Sequence, residues 1–130
     1  MLALSKAFAI ATLLSMSSIA KACECAGFPL VTRSAHAQVI VVAEVESVLY
    51  RKVVIRPIEV LKGQVPGIIV IATGSSMCDY FLMPEIPIGA KYLLFLNQEN
   101  GEVVANRCLE SGPLAEKKAD LEALRKLSKR

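Results

Sequence analysis

Four cysteines set the strongest limit on how this chain can fold. They are Cys23, Cys25, Cys78 and Cys108, and all four follow an N-terminal segment with the features of an export signal. An even number of cysteines in a small exported chain indicates a disulfide framework. A bridge between Cys23 and Cys25 would close a strained, very small ring, so two long-range pairings remain open. Cys23 pairs with Cys78 and Cys25 with Cys108, or the partners are exchanged.

A reduced Cys-x-Cys metal site is the competing interpretation of the same residues. Sulfur-rich zinc sites usually space their cysteines as Cys-x2-Cys, and many also use histidine. Here a single residue separates Cys23 from Cys25, and His36 is the only histidine of the chain. The sequence therefore favours disulfides, and we expect the protein to carry no cofactor of its own. We expect His36 itself to be a surface or helix-end residue.

The first 22 residues predict a secretory signal peptide. Lys6 precedes an apolar run over 7–19, and Ala-Lys-Ala at 20–22 forms a small-x-small cleavage site. The run is short for a membrane span and no second candidate follows, so we expect no transmembrane segment in the mature chain. Cleavage after this site makes Cys23 the first residue. We expect the mature protein, residues 23–130, to be secreted or periplasmic.

A lipid anchor on Cys23 is a minor alternative, because bacterial lipoproteins also begin at a cysteine. Their signals normally carry a branched apolar residue three places before that cysteine and a small residue two places before. Ala20 and Lys21 occupy those positions here, so the match is poor. Acylation would anchor the protein to a membrane. It would also block any use of the Cys23 amine as a metal ligand.

The composition of residues 23–130 excludes several functions. These 108 residues form one domain by size. They hold 13 basic and 12 acidic residues, because the two other lysines belong to the signal peptide, and no tryptophan. Because the basic and acidic residues nearly cancel and aromatic residues are few, the chain offers neither a basic surface nor stacking side chains for nucleic acid. No P-loop, His-Glu-x-x-His or Gly-x-Ser-x-Gly motif occurs, and we expect the protein not to be an enzyme.

Apolar alternation predicts five strands followed by one helix. The predicted strands are 38–50, 52–61, 68–72, 91–96 and 102–106. In the first strand Val41, Ala43 and Val45 share a face, and Pro57 in the second indicates an edge or a bulge. After Ser-Gly-Pro at 111–113, leucines at helical spacing predict an amphipathic helix packed on the sheet. The fold class is therefore mainly β, a five-stranded OB-like Greek-key barrel with a C-terminal amphipathic helix and two disulfides.

A free amine at Cys23 is the group best suited to bind a metal. An α-amino group ordinarily has a pKa close to physiological pH, so an appreciable fraction is neutral. The amine and the carbonyl oxygen of Cys23 can close a five-membered ring around one metal ion. Disulfides at Cys23 and Cys25 would hold this end rigid. Such an end suits the open position of a catalytic zinc in another protein.

Several segments in chain order carry a family resemblance. They are Cys-Glu-Cys-Ala at 23–26, the strand-like segment 37–45, Leu-Lys-Gly at 61–63, the connector 73–78, residues 89–94, and Cys108 before the helix. Together they resemble the tissue inhibitors of metalloproteinases and, more broadly, the netrin-like domain. The resemblance implies an OB-like barrel with bridges Cys23–Cys78 and Cys25–Cys108.

The resemblance also implies a function and a site. In the inhibitors the amine and carbonyl of the first cysteine, here Cys23, bind the zinc of a target metalloendopeptidase and displace its catalytic water. The following residue, here Glu24, points into the main specificity pocket, and Cys25 ties the segment down. The implied contact on the other side of the cleft is made by Ser75, Ser76, Met77 and Cys78. The zinc is supplied by the target protease.

The sequence departs from the family in three ways. A third disulfide is absent, since Ala35 stands at the position of its first cysteine, and the long first hairpin is cut to Tyr50-Arg51. Glu24 replaces a small hydroxyl residue. A carboxylate in an apolar pocket carries a desolvation cost, so a target with a basic pocket fits better. The alternative function is a non-inhibitory netrin-like module that binds another extracellular or envelope protein.

Overall fold

The structure, a computed structural model, describes residues 23–74, 76–81 and 85–129. Its strands are β1 Val39–Leu49, β2 Lys52–Lys62, β3 Ile69–Ala72, β4 Lys91–Glu99, β5 Glu102–Ala105 and the short β6 Gly112–Pro113. Its helices are α1 Leu30–His36 and α2 Lys118–Ser128, with 3-10 turns at Arg107–Leu109 and Leu114–Glu116. The predicted signal peptide lies outside the described residues. Among those residues, no helix has the length and apolar character needed to cross a membrane.

Five strands close into the predicted barrel. Their order is β1-β2-β3-β5-β4, and β4 pairs back onto β1 to complete the circle. All neighbours are antiparallel except β3 and β5, which run parallel. The short β6 adds to β4 outside the circle. The mainly β fold class with a C-terminal helix is confirmed.

The central strand β1 has two buried faces over its first half. Val41, Ala43 and Val45 point into the barrel, as the alternation predicted. Ile40 and Val42 point outward into a second cluster, which contains Leu121 and Leu124 of α2. The amphipathic helix therefore covers the barrel with its leucine stripe.

The proline in β2 marks both a bulge and the beginning of an edge. Val42 is opposite Glu59 and Ala43 is opposite Pro57, so Ile58 is an extra residue on β2. Beyond Ile55, β2 has no pairing with β3. A proline is tolerated here because it has no N–H to donate, and on the side of β2 that lacks a neighbouring strand no hydrogen bond is lost.

Helix α1 was not predicted from the sequence. It has only two turns, no side-chain cap and two β-branched or hydroxyl residues in its first half, so its own propensity is weak. Tertiary contacts hold it instead: the Lys62 ammonium donates to the Ser34 carbonyl oxygen at 2.7 Å. His36 is exposed at the end of this helix, which confirms its predicted place. The predicted C-terminal helix begins later than expected, at Lys118, because a separate 3-10 turn precedes it.

Gly63, just after β2, has no room for a side chain. Its φ is +81°, and an added Cβ would lie 2.6 Å from the backbone oxygen of Gln38. We expect Gly63→Ala to cost about 1–3 kcal/mol of unfolding free energy from the left-handed backbone, and more from the clash. Urea unfolding measures the loss. Gly67→Ala is the matched control, because its added Cβ meets nothing within 4 Å. Equal losses in the two variants would contradict the explanation.

Candidate functional site: the disulfide-clamped N-terminal segment

Two disulfides attach the segment 23–25 to the barrel. Cys23 is bonded to Cys78 in the connector after β3, and Cys25 to Cys108 in the 3-10 turn after β5. This is the pairing that the resemblance implied, and the exchanged pairing is wrong. The sulfurs of Cys23, Cys25 and Cys108 lie within 4.8 Å of one another. Every cysteine is in a bridge, so the cluster offers no thiolate to a metal in this state.

The two bridges form one contiguous cluster. The Sγ atoms of Cys23 and Cys108 are 3.4 Å apart, and the Cys108 Sγ lies 3.7 Å from the backbone oxygen of Glu24. The cluster therefore lies directly under the segment. Glu24 is exposed between two cysteines that are both tied down. Covalent attachment on each side restricts the conformations available to this backbone.

The connector beside the segment is organised by Asp79, which is only 2% exposed. The backbone N–H and the hydroxyl of Ser76 both donate to its carboxylate at 3.3 Å. The Ser76 hydroxyl oxygen accepts from the Cys78 N–H at 3.0 Å. These bonds fold the connector into a tight turn and leave Met77 59% exposed. Ser75, the other predicted contact residue, lies outside the described residues.

A second set of bonds joins the partner cysteines to each other. Asp79 forms an isolated antiparallel bridge with Asn106, and the Arg107 N–H donates to the Cys78 carbonyl. The Asn106 side-chain oxygen accepts from the Cys108 N–H at 2.8 Å. These backbone and side-chain bonds therefore hold Cys78 and Cys108, the two cysteines to which the N-terminal segment is bonded, in position relative to one another independently of the disulfides.

A buried arginine supports the segment from below. Arg33 of α1 is 6% exposed and donates to the carbonyl oxygens of Phe28 at 3.1 Å and Leu109 at 3.3 Å. It also pairs with Asp120 and Glu110, each at 3.2 Å. One guanidinium thus links the chain that follows Cys25 to the chain that follows Cys108.

Sequence reasoning missed Arg33, Asp79 and Asn106. Arg33 lies in a mixed segment, Leu-Val-Thr-Arg-Ser-Ala-His at 30–36, where nothing marks it as buried; buried arginines are rare unless paired, and its acidic partners follow much later in the chain. Asp79 and Asn106 act through bonds to nearby backbone, which many turn residues also make. Nothing in the sequence distinguishes these two from other loop residues.

A shallow recess of about 370 Å³ opens beside Cys23 and Glu24. Its polar lining is Asn97, Asn106 and His36, and the His36 ring lies 5.7 Å from that of Phe28. The side-chain oxygen of Asn97 accepts from the Gln38 N–H at 2.7 Å, and its amide nitrogen has no acceptor among the described residues. The recess can therefore receive a carbonyl group from a partner.

Two groups, one beside the site and one farther away, have shifted pKa values. Burial, helped by the proximity of Tyr92, raises the pKa of Tyr80, the residue that follows Asp79. Its hydroxyl therefore stays protonated. Farther away, a hydrogen bond from Arg125 lowers the pKa of Glu59 on β2, so this carboxylate stays ionised.

Comparison with known proteins finds no family model and no curated protein that matches the chain. The resemblance to the metalloproteinase inhibitors therefore stays a prediction. What the structure establishes is a mainly β barrel with a surface N-terminal segment held by two disulfides. Disulfides persist in oxidising compartments, which indicates an extracytoplasmic protein.

Proposed function

We propose that the protein inhibits a zinc metalloendopeptidase by presenting the amine and carbonyl oxygen of Cys23 to the zinc of its target. The observation that carries the proposal is the double clamp, in which Cys23 and Cys25 are both bonded to the barrel and their bridges touch. A catalytic zinc keeps one open position beside its three protein ligands. Two donors from one residue would displace the water from that position and bring the zinc to five ligands, a number that catalytic zinc can adopt.

Rigidity is what makes such a small contact effective. A free N-terminus samples many conformations and loses that freedom on binding. Here the freedom is already removed by two covalent links, so less entropy is lost when the complex forms. The half-buried Cys23 and the exposed Glu24 keep the segment at the surface, where a protease cleft can reach it.

The connector supplies a second contact in this proposal. Ser76 and Met77 are exposed next to Cys78, and the buried Asp79 holds their turn in one conformation. They would touch the side of the cleft opposite Glu24, together with Ser75. The target is a secreted or periplasmic protein that brings its own zinc.

The test compares the exported protein with a variant carrying one alanine ahead of Cys23. Intact mass and N-terminal sequencing first establish whether Cys23 has a free amine. Both proteins are then titrated against a panel of zinc endopeptidases. We expect the added alanine to weaken inhibition at least 100-fold, since an amide nitrogen cannot replace the amine as a ligand. Equal inhibition by both, or none by either at micromolar concentration, would show that chelation is wrong.

A second candidate function is a non-inhibitory interaction module, secreted or lipid-anchored at Cys23. One observation favours it: the hairpin tip between β1 and β2 exposes Tyr50 to 86% and Leu49 to 56%, away from any core cluster. Exposed aromatic residues are common in protein interfaces. A diacylglyceryl mass on the exported protein would support the anchored form and argue against chelation, because that lipid is a thioether on the Cys23 sulfur and the Cys23–Cys78 bridge that holds the segment could then not form.

A further inference from the structure

The sulfur atoms of the two bridges form a single group. The Sγ atoms of Cys23, Cys25 and Cys108 all lie within 4.8 Å of one another, and those of Cys23 and Cys108, which belong to different bridges, are 3.4 Å apart. Cys78 is bonded to Cys23, so its sulfur adjoins the same group. In a tetrahedral site with Zn–S bonds of about 2.3 Å, neighbouring thiolates lie about 3.8 Å apart. The distances between the bridges are therefore close to those of a sulfur-only zinc site.

The four cysteines come from three separate segments of the chain. Cys23 and Cys25 belong to the N-terminal segment, Cys78 to the connector after β3, and Cys108 to the 3-10 turn after β5. The usual Cys-x2-Cys spacing describes two ligands that one turn supplies to one metal. A site assembled across segments does not need that turn, so the Cys-x-Cys spacing does not exclude it.

Half of this group is positioned without help from the bridges. The Arg107 N–H donates to the Cys78 carbonyl oxygen, and the Cys108 N–H donates to the side-chain oxygen of Asn106. Both bonds lie in the backbone and side chains of the connector and the 3-10 turn. Reduction breaks neither of them, so two of the four thiols stay close together in a folded reduced chain.

The N-terminal segment also has an anchor that contains no sulfur. The Arg33 guanidinium donates to the Phe28 carbonyl oxygen at 3.1 Å, and Phe28 is three residues after Cys25. Three residues of extended chain reach at most about 10 Å. The thiols of Cys25 and, two residues earlier, Cys23 therefore remain near the other two after reduction.

The recess beside the sulfurs offers a metal ion access and an outer shell. Cys23, Cys78 and Cys108 all line it, together with the amide of Asn97, whose nitrogen has no acceptor among the described residues. Hydrogen-bond donors of this kind commonly surround metal ligands. His36 lines the recess too, but among the described residues its ring nitrogens do not belong to the group within 4.8 Å.

Two charged groups beside the sulfurs act in opposite directions. Zinc bound by four thiolates carries a net charge of −2. The Cys23 amine, when protonated, offsets part of that charge, whereas the Glu24 carboxylate at the recess adds to it. These two effects oppose one another, so the sulfur geometry decides the site.

We propose that reduction of both bridges converts this group into a site for one zinc ion, held by the thiolates of Cys23, Cys25, Cys78 and Cys108. The reductant is a protein dithiol. Each bridge takes two electrons and two protons from one dithiol, which leaves as a disulfide, and zinc then displaces four protons from the four thiols. Four coordinate bonds replace two covalent links, so the N-terminal segment stays attached in both states. The inference does not depend on the proposed inhibitory function.

The experiment titrates reduced and oxidised forms of the exported protein with Co²⁺ and then with Zn²⁺. The reduced form is prepared with a phosphine and freed of it under argon. We expect the reduced form to bind one Co²⁺ per chain with the visible bands of a tetrahedral ion and a charge-transfer band of four thiolates. One Zn²⁺ per chain should abolish these bands. The oxidised form should bind neither ion at the same concentration.

Two variants test the ligand set. Cys25→Ser should weaken zinc binding by the reduced protein at least about 100-fold, since even the loss of an outer-shell partner costs about 10- to 100-fold. His36→Ala is the matched control from the same recess and should leave both the affinity and the cobalt spectrum unchanged. If the His36 variant loses as much affinity as the Cys25 variant, the four-thiolate assignment is wrong.

Urea unfolding separates a built site from capture of metal by an unfolded chain. A ligand that binds only the folded state at 100 times its Kd raises the ratio of folded to unfolded protein about 100-fold. We expect that gain for reduced protein with zinc, and refolding by zinc if the reduced chain is unfolded without it. Zinc binding with no gain in folded protein would overturn the inference. So would the absence of binding at micromolar concentration, or a stoichiometry other than one ion per chain.

Discussion

Replacing Cys25 and Cys108 together by serine is expected to lower the free energy of unfolding by about 4 kcal/mol. The bridge spans 83 residues of sequence. In the chain-entropy model, opening a loop of that length returns this much conformational freedom to the unfolded chain. Little native packing is lost with it, since Cys25 is exposed and Cys108 is half-buried. The effect is therefore expected to act mainly through the unfolded state.

Urea unfolding of oxidised protein measures this loss, and the double serine variant of Cys23 and Cys78 is its natural comparison. That bridge spans 55 residues. Loop entropy grows only with the logarithm of length, so the two variants should differ by less than about 1 kcal/mol. A loss below about 1 kcal/mol for either variant would mean that the unfolded chain is already compact without its bridges.

Replacing Arg33 by methionine is expected to cost about 3 kcal/mol. Methionine keeps an apolar chain near the Phe95 ring, which the guanidinium faces at 5.4 Å. It removes the donors to the carbonyl oxygens of Phe28 and Leu109, and removing one member of a buried ion pair typically costs about 3–5 kcal/mol. We expect the lower end of that range. The side chains of Asp120 and Glu110 are 23% and 48% accessible, so water can solvate them again.

Arg125→Met is the matched control for Arg33→Met. Arg125 also binds a carboxylate, donating to both oxygens of Glu59 at 3.0 and 2.6 Å, but its side chain is half-exposed. Surface pairs contribute little. Its loss should therefore be much smaller than that of Arg33. Equal losses would mean that the buried backbone contacts of Arg33 add nothing to stability. Hydrogen exchange at the Ala37 amide, which donates to the carbonyl oxygen of residue 33, should rise only in the Arg33 variant.

The sequence predicted those elements whose cause is local or periodic. Val41, Ala43 and Val45 alternate because one face of β1 fills the barrel, and this pattern is visible without any partner. Pro57 indicated an irregularity because its chemistry alone forbids a continuous ladder. Helix α1 could not be found in this way. Its short, weakly helical sequence is stabilised by Lys62 and by Arg33, whose contacts are distant in the chain.

The cysteines of the candidate site could be predicted from the sequence, but the polar residues that hold them in place could not. Spacing alone excluded one pairing and left two, and the resemblance implied the one observed. The polar supports at Asp79 and Asn106 form only after β3 and β5 have come together in the barrel. Their role depends on which backbone groups then lie near them. A single sequence does not encode that information in any recognisable pattern.

The bridge from Cys23 to Cys78 also determines what a protease could release by cutting the N-terminal segment. Hydrolysis of the peptide bond between Cys23 and Glu24 would release no fragment, because Cys23 would remain attached through its sulfur and Glu24 through the chain to Cys25. The new carboxylate and the new amine would stay side by side at high effective concentration. Resynthesis of the peptide bond between Cys23 and Glu24 would then compete with dissociation of the protease. A molecule cleaved at this bond would keep both new ends at the same place on its surface.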